Sequence, residues 1–149
     1  AKSYSKNRMV IIRNPMSTRP WQHVLDVIYG YLTLGSKLYK NKNLHGETFN
    51  FGPGKQANYK VIYLLEEFKK YWPNFKWKIK GNKNNFFEAK LLKLNSEKAK
   101  NKLNWKSKLG IKETSKMVAE WYNFFYKKKK QDIYKFSVKQ IYFYIGKIR

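Results

Sequence analysis

The stretch from Met9 to Tyr39 constrains the fold more than any other part of this 149-residue sequence. Met9-Val10-Ile11-Ile12 is a short β-branched apolar run stopped by Asn14-Pro15, which reads as a buried strand leaving into a turn. Pro20 suits the first position of a helix, where its missing N–H costs nothing. Beyond it Val24, Val27, Ile28, Tyr31, Leu32, Leu34, Leu38 and Tyr39 recur at three- and four-residue spacing. That spacing predicts a helix with one wide buried face, ending in the polar run 40–43. Gly30 and Gly35 weaken the helix slightly and permit close packing. Arg19 therefore stands just ahead of a predicted helix N-terminus, where a guanidinium and the first free backbone N–H groups together suit a phosphate. A solvated arginine before a proline-started helix fits the same spacing, so both readings are open for Arg19.

The rest of the chain alternates strand and helix patterns. Glu47 to Phe51 alternates and stops at Gly52-Pro53-Gly54, a strand running into a tight loop able to hold a ligand. Val61, Ile62, Leu64, Leu65, Phe68, Tyr71 and Trp72 make a second amphipathic helix, closed by Pro73 and capped by Asn58. Phe75 to Ile79 predicts a half-exposed strand, and Leu91 to Leu94 a further short one. Asn95-Ser96-Glu97 opens a short helix carrying Ala99 and Leu103, and Lys112 to Tyr126 is a third long helix with Val118, Trp121, Tyr122 and Phe125 on one side. After the lysine run Lys127 to Lys130, Ser137 is placed to cap a last short helix through Ile141 and Tyr144. The fold class expected is α/β, in an α+β-like small domain: one small mixed sheet covered by helices.

Composition narrows the chemistry. The absence of cysteine excludes disulfides and thiol catalysis, and two histidines are too few for a histidine-rich metal site. No apolar run approaches the roughly 18 residues of a membrane span. The N-terminal residues lack the apolar centre of a signal peptide, so a cytoplasmic location without membrane association is expected. A formal charge of +24 points to a polyanionic partner. The charge is mostly lysine spread over every segment, with arginine only at Arg8, Arg13, Arg19 and Arg149, which reads as a solvated face. A stand-alone basic nucleic-acid module is the alternative from a different class. Gly52-Pro53-Gly54 is not a phosphate-loop pattern. His23, inside a helical pattern, reads as a packing or hydrogen-bonding residue, and Glu66-Glu67 as solvated carboxylates pointing apart.

The run RNPMSTRPWQHVLD resembles the C-terminal half of the CDP-glucose 4,6-dehydratases, extended short-chain dehydrogenases/reductases that act on nucleotide sugars. The resemblance continues in order through Gly46 to Pro53, Glu88-Ala89 leading to Leu92-Lys93-Leu94, Ser96 to Trp105, Ala119 to Tyr122 and Phe136 to Ile141. Related enzymes show Arg-Asp-Trp or Arg-Asp-Tyr where this chain has Arg19-Pro20-Trp21, and RPWQHVL points to the CDP-glucose branch. The resemblance implies that residues 1–149 are a sugar-nucleotide-binding domain whose NAD-binding Rossmann half lies outside this sequence. The family's reaction removes hydride from C4 of the sugar to NAD, loses water across C5 and C6 and returns the hydride to C6. The resulting CDP-4-keto-6-deoxyglucose serves deoxysugar and O-antigen synthesis. By resemblance Arg19 contacts the diphosphate, Glu88 lies beside the nucleotide, and Val10, Ile11 and Ile12 line the base pocket with their backbone. The family's catalytic tyrosine and lysine match nothing here in context, so this piece alone is expected to be inactive. The substrate implied is CDP-glucose or a related sugar nucleotide, no metal is implied, and the full-length protein is expected to be a homo-oligomer. Phe87 stands where the branch has histidine, and Asn95 where it has aspartate.

Overall fold

A computed structural model describes residues 9–54, 57–80, 92–127 and 131–149. The strand expected at the start is β1, Val10–Ile12, which pairs in parallel with β4, Trp77–Ile79, as Val10↔Trp77 and Ile12↔Ile79. A second pair is antiparallel: β2, Thr18–Pro20, lies against β3, Asn58–Lys60, with Arg19 opposite Tyr59. The helices are α1, Val24–Lys40; α2, Val61–Tyr71; α3, Glu97–Leu103; α4, Ile111–Lys127; and α5, Gln131–Ile148. The class is the mixed one expected, but the strands form two separate pairs among the described residues.

Several local expectations are corrected. Pro20 is not the first residue of a helix: it ends β2, opposite Asn58, and α1 begins at Val24 with His23 as its cap. Asn58 accordingly caps nothing and belongs to β3. The first N–H groups of α2 are instead taken by the β1–β2 turn, Val61 donating to the Ser17 carbonyl and Ile62 to the Pro15 carbonyl, each at 3.0 Å. Residues 47–51 are not a strand. Their alternation records side-chain burial alone, since Phe49 and Phe51 turn into a core with no strand beside them. Residues 92–94 are likewise irregular, while Leu91 lies outside the described residues, as does the lysine run at 128–130. Ser137 opens no helix; it sits inside α5, its hydroxyl donating to the Ile133 carbonyl and accepting from Trp121 Nε1. A hydroxyl able to bond the turn behind it is compatible with either position.

Three clusters make the core. Trp105, Leu103, Ala99 and Leu44 gather Phe49, Phe51 and the Tyr29, Leu34 and Leu38 stripe of α1. Leu65, Trp72, Phe75 and Ala119 join α2, α4 and the inner side of the β1–β4 pair, to which Val10 and Ile12 contribute. Leu109, Met117 and Tyr144 bring α5 against Leu25 and Tyr29. The helix from Val24 is present as read, but its buried face is not the expected one: Val24, Ile28, Tyr31, Leu32 and Tyr39 are exposed, Leu32 by 70%. Apolar residues surround this helix, so periodicity reveals the helix without choosing which side is covered. Gly30 allows the close approach foreseen, because an added Cβ would lie 2.5 Å from the Phe51 ring; Gly35 has nothing within 4 Å. The β1 strand is also less buried than read, Ile11 being 60% exposed.

Candidate functional site

Arg19 is carried on a two-stranded ribbon, not at a helix start. Its strand neighbours are Thr18 and Pro20, Tyr59 faces it in register, and its Nη1 donates to the Thr18 carbonyl at 2.8 Å. Trp21 pins the ribbon by donating from Nε1 to the Tyr59 carbonyl at 3.1 Å, while the Tyr59 and Tyr63 rings stack at 5.0 Å. This leaves Arg19 half-buried with a fixed backbone, beside exposed Lys60 on the facing strand. The helix N-terminus expected to assist it, that of α1, starts only at Val24 and is already partly bonded. At α1 the Leu25 N–H goes to His23 Nδ1 at 3.2 Å, and at α2 two N–H groups go to the β1–β2 turn. The anion-binding potential of this stretch therefore rests on the guanidinium.

The β1 strand is an edge among the described residues, pairing with β4 alone, so Val10, Ile11 and Ile12 have one side of their backbone outside any ladder. An open edge of this kind can hydrogen-bond a planar heterocycle through main-chain N–H and C=O. The turn that joins β1 to the Arg19 ribbon is the one held by α2, which fixes the edge and the ribbon to a common support. Glu88, the remaining residue expected at the site, lies outside the described residues.

The first turn of α1 carries a polar node that sequence reasoning missed. Asp26 is 0% exposed, and its carboxylate accepts from the Lys108 N–H at 2.7 Å, the Leu109 N–H at 3.4 Å and the Tyr144 hydroxyl at 2.7 Å. Burial and the neighbouring Asp26 hold the Tyr144 hydroxyl well above the usual phenol range, so it stays a donor. His23 reads as expected: buried, with Nδ1 accepting at the helix cap. Desolvation lowers its pKa, partly opposed by Asp26, which keeps the imidazole neutral and able to accept. Of the two adjacent carboxylates, Glu66 is exposed but Glu67 is buried and paired with Lys70, a correction to the reading that both are solvated. One signal pointed to Asp26: a lone carboxylate between Leu25 and Val27 in an otherwise apolar helical run.

The described residues contain no group of three His, Cys, Asp or Glu residues able to hold a metal. Among the described residues the loop at Gly52–Gly54 is not built as a dinucleotide cradle. Gly52 is glycine for packing: an added Cβ would lie 2.8 Å from Leu94 Cβ and 3.1 Å from Ser96 Oγ, and the Gly52 N–H is bonded to that hydroxyl at 2.8 Å. The glycine loop leads towards strand β3 and not into a helix, so it supplies no helix-capped phosphate cradle.

No family model matches the chain. A CDP-glucose 4,6-dehydratase of Salmonella typhimurium is 35% identical over 122 residues, 81% of this chain and 34% of that protein. A UDP-glucose 4-epimerase of Oryza sativa is 28% identical over 109 residues, 73% of this chain and 26% of that protein. In three dimensions the chain resembles a UDP-glucose 4-epimerase of Bifidobacterium longum solved with NAD+ and UDP. The TM-score is 0.59 at 19% identity, covering 77% of this chain and 35% of the epimerase, a likeness of fold alone. The chain thus spans between a quarter and a third of the curated relatives it matches. The resemblance read from the sequence is borne out: over most of its length this chain is similar to part of the sugar-nucleotide dehydratases and epimerases.

Proposed function

We propose that this chain is the substrate-binding portion of an NAD-dependent CDP-glucose 4,6-dehydratase. The observation that carries the reading is the 35% identity to the Salmonella dehydratase, which spans most of this chain. The geometry agrees with it. Arg19 on the β2–β3 ribbon binds the diphosphate through its guanidinium, the open edge of Val10–Ile12 recognises the base through its backbone, and the resemblance alone puts Glu88 beside the nucleotide. NAD and the proton-transferring groups belong to the part of the full-length protein outside this chain, where the bound dinucleotide supplies hydride chemistry. Alone, these residues bind and orient a substrate and accelerate nothing. The whole enzyme is a lyase of deoxysugar synthesis, works in the cytoplasm and assembles from like subunits.

Arg19→Ala in the full-length protein is expected to weaken CDP-glucose binding about 10- to 100-fold, the worth of one charge-assisted bidentate contact. Calorimetric titration reads it, and binding as tight as in the parent protein removes the diphosphate role. A second reading within the family, another sugar-nucleotide dehydratase or epimerase, draws on the rice epimerase relative. Product analysis with CDP, dTDP, UDP and GDP sugars separates the two. A basic nucleic-acid module draws only on the +24 charge. It would bind oligonucleotides with a steep salt dependence and show no preference for CDP-glucose.

A further inference from the structure

The face of the β2–β3 ribbon opposite Arg19 opens onto a cleft of about 740 Å³, within the size range of small-molecule sites, about 300–1,000 Å³. Pro20 and Asn58, register partners on the ribbon, form one wall; the Gly52–Gly54 loop forms another; α3 and the chain beyond it form the third. Alternation along β2 puts Pro20 and Arg19 on opposite faces, and Arg19 does not line this cleft. Three lysines, Lys93, Lys100 and Lys106, face one carboxylate, Glu97. Two hydrogen-bond donors in its walls have no partner: Asn58 Nδ2 and the Nε1 of Trp105, a residue 1% exposed. A buried indole N–H or amide without an acceptor is costly, and most such groups in folded proteins are satisfied. Two orphan donors beside three ammonium groups call for an acceptor-rich anion.

We propose that this cleft binds a phosphate-bearing small molecule, at a site separate from the sugar-nucleotide contact at Arg19. The phosphate oxygens accept from Asn58 Nδ2 and Trp105 Nε1, and the lysines balance the charge. Both nitrogens are buried although their residues line the cleft, so the ligand reaches them by displacing a lining side chain, and the lysines are the flexible ones.

The test is a titration of the full-length protein, ¹⁵N-labelled at tryptophan, with inorganic pyrophosphate at about 0.15 M salt, where the screening length is about 8 Å. Trp105→Phe identifies the Trp105 indole resonance. That resonance is expected to shift saturably. Asn58→Asp, which keeps the shape but replaces the donor with a negatively charged acceptor, is expected to weaken binding about tenfold or more, and Lys100→Gln with Lys106→Gln about fivefold. Lys112→Gln with Lys139→Gln removes equal charge from exposed sites on α4 and α5 and is expected to change affinity less than about twofold. A linear, unsaturating shift, or equal losses from both lysine pairs, overturns the proposal in favour of diffuse charge attraction. Loss of the response in Arg19→Ala also overturns it, by making the cleft part of the Arg19 site. Failure of CDP-glucose binding in Arg19→Ala with the Trp105 response intact leaves this cleft standing on its own.

Discussion

Six residues separate Arg19 from Asp26, yet the two ends of this short stretch are built on opposite terms. Asp26 is sealed in the first turn of α1 with three donors on its carboxylate, drawn from the 106–110 connection and from α5. Arg19 rides half-buried on a two-stranded ribbon, and the cleft behind that ribbon holds donors with no acceptor. A buried charge surrounded by partners holds elements in place, because removing it strands every group that bonded to it. Buried donors left without a partner beside a cleft hold no element of the scaffold. The stretch therefore divides between scaffold and recognition within two turns of chain.

The largest test of that division is Asp26→Ala. It leaves two buried N–H groups and the Tyr144 hydroxyl without an acceptor and is expected to destabilise the protein by about 3 kcal/mol or more, read by chemical denaturation. Tyr144→Phe removes one of the three and should cost about 1–2 kcal/mol. Arg19→Ala should leave stability almost unchanged while weakening substrate binding; a loss of stability as large as that of Asp26→Ala would break the comparison.

A pair of glycines sharpens it further inside α1. An alanine at Gly30 drives Cβ into the Phe51 ring, which sits edge-on to Trp105 at 4.9 Å and 78° and cannot retreat freely. The overpacking of about 1–3 kcal/mol outweighs the gain in helix propensity of about 1 kcal/mol, so Gly30→Ala is expected to destabilise. Gly35→Ala meets nothing within 4 Å and is expected to stabilise by about 0.5–1 kcal/mol. Thermal melts of the two variants should move in opposite directions.

His23 supplies a pH test. Its folded pKa lies below 6.5 because burial disfavours the imidazolium. The unfolded chain therefore binds the proton first, and the stabilisation present above pH 6.5 is lost as pH falls below it. Asn also caps helices well, so His23→Asn should keep the stability at pH 7.5 within about 1 kcal/mol and flatten the decline toward pH 5.5. An unchanged decline in the variant would assign the acid sensitivity to other groups. The smallest effect is expected at Glu47, held at a pKa of about 2 by its hydrogen bonds to Lys98 and Lys102. Its contribution is present above pH 4.5 and lost as pH falls toward 2. The pair is exposed and screened, so Glu47→Gln should shift the acid limb of the stability curve only slightly.

Much of the fold was legible in the residues. The β-branched run at Val10–Ile12, the period of α1, α2 and α4 and the short α3 helix followed from spacing, and the resemblance carried by RPWQHVL followed from order along the chain. The errors share a cause. Pro20, Asn58 and Ser137 are residues that suit both a helix end and another role, and a pairing partner some forty residues away decided the first two. Phe49 and Phe51 alternate because both pack against the core cluster of Leu44, Ala99, Leu103 and Trp105, without any ladder. At the site, spacing left Arg19 open between a phosphate contact and a surface arginine and only the resemblance favoured the first, while Asp26 showed only as a charge out of place.

The sequence by itself determined which segments are helical and that a cationic segment precedes a long helix, because those are properties of neighbours three or four residues apart. It determined the kinship with sugar-nucleotide enzymes by the order of its matching segments. Only the tertiary structure decided which side of α1 is covered, that the helix N-termini near Arg19 are already bonded, and that Asp26 meets Tyr144 across 118 residues. Each of those depends on which distant group arrives to fill a hydrogen bond or a face, and no local pattern in the chain specifies the arrival.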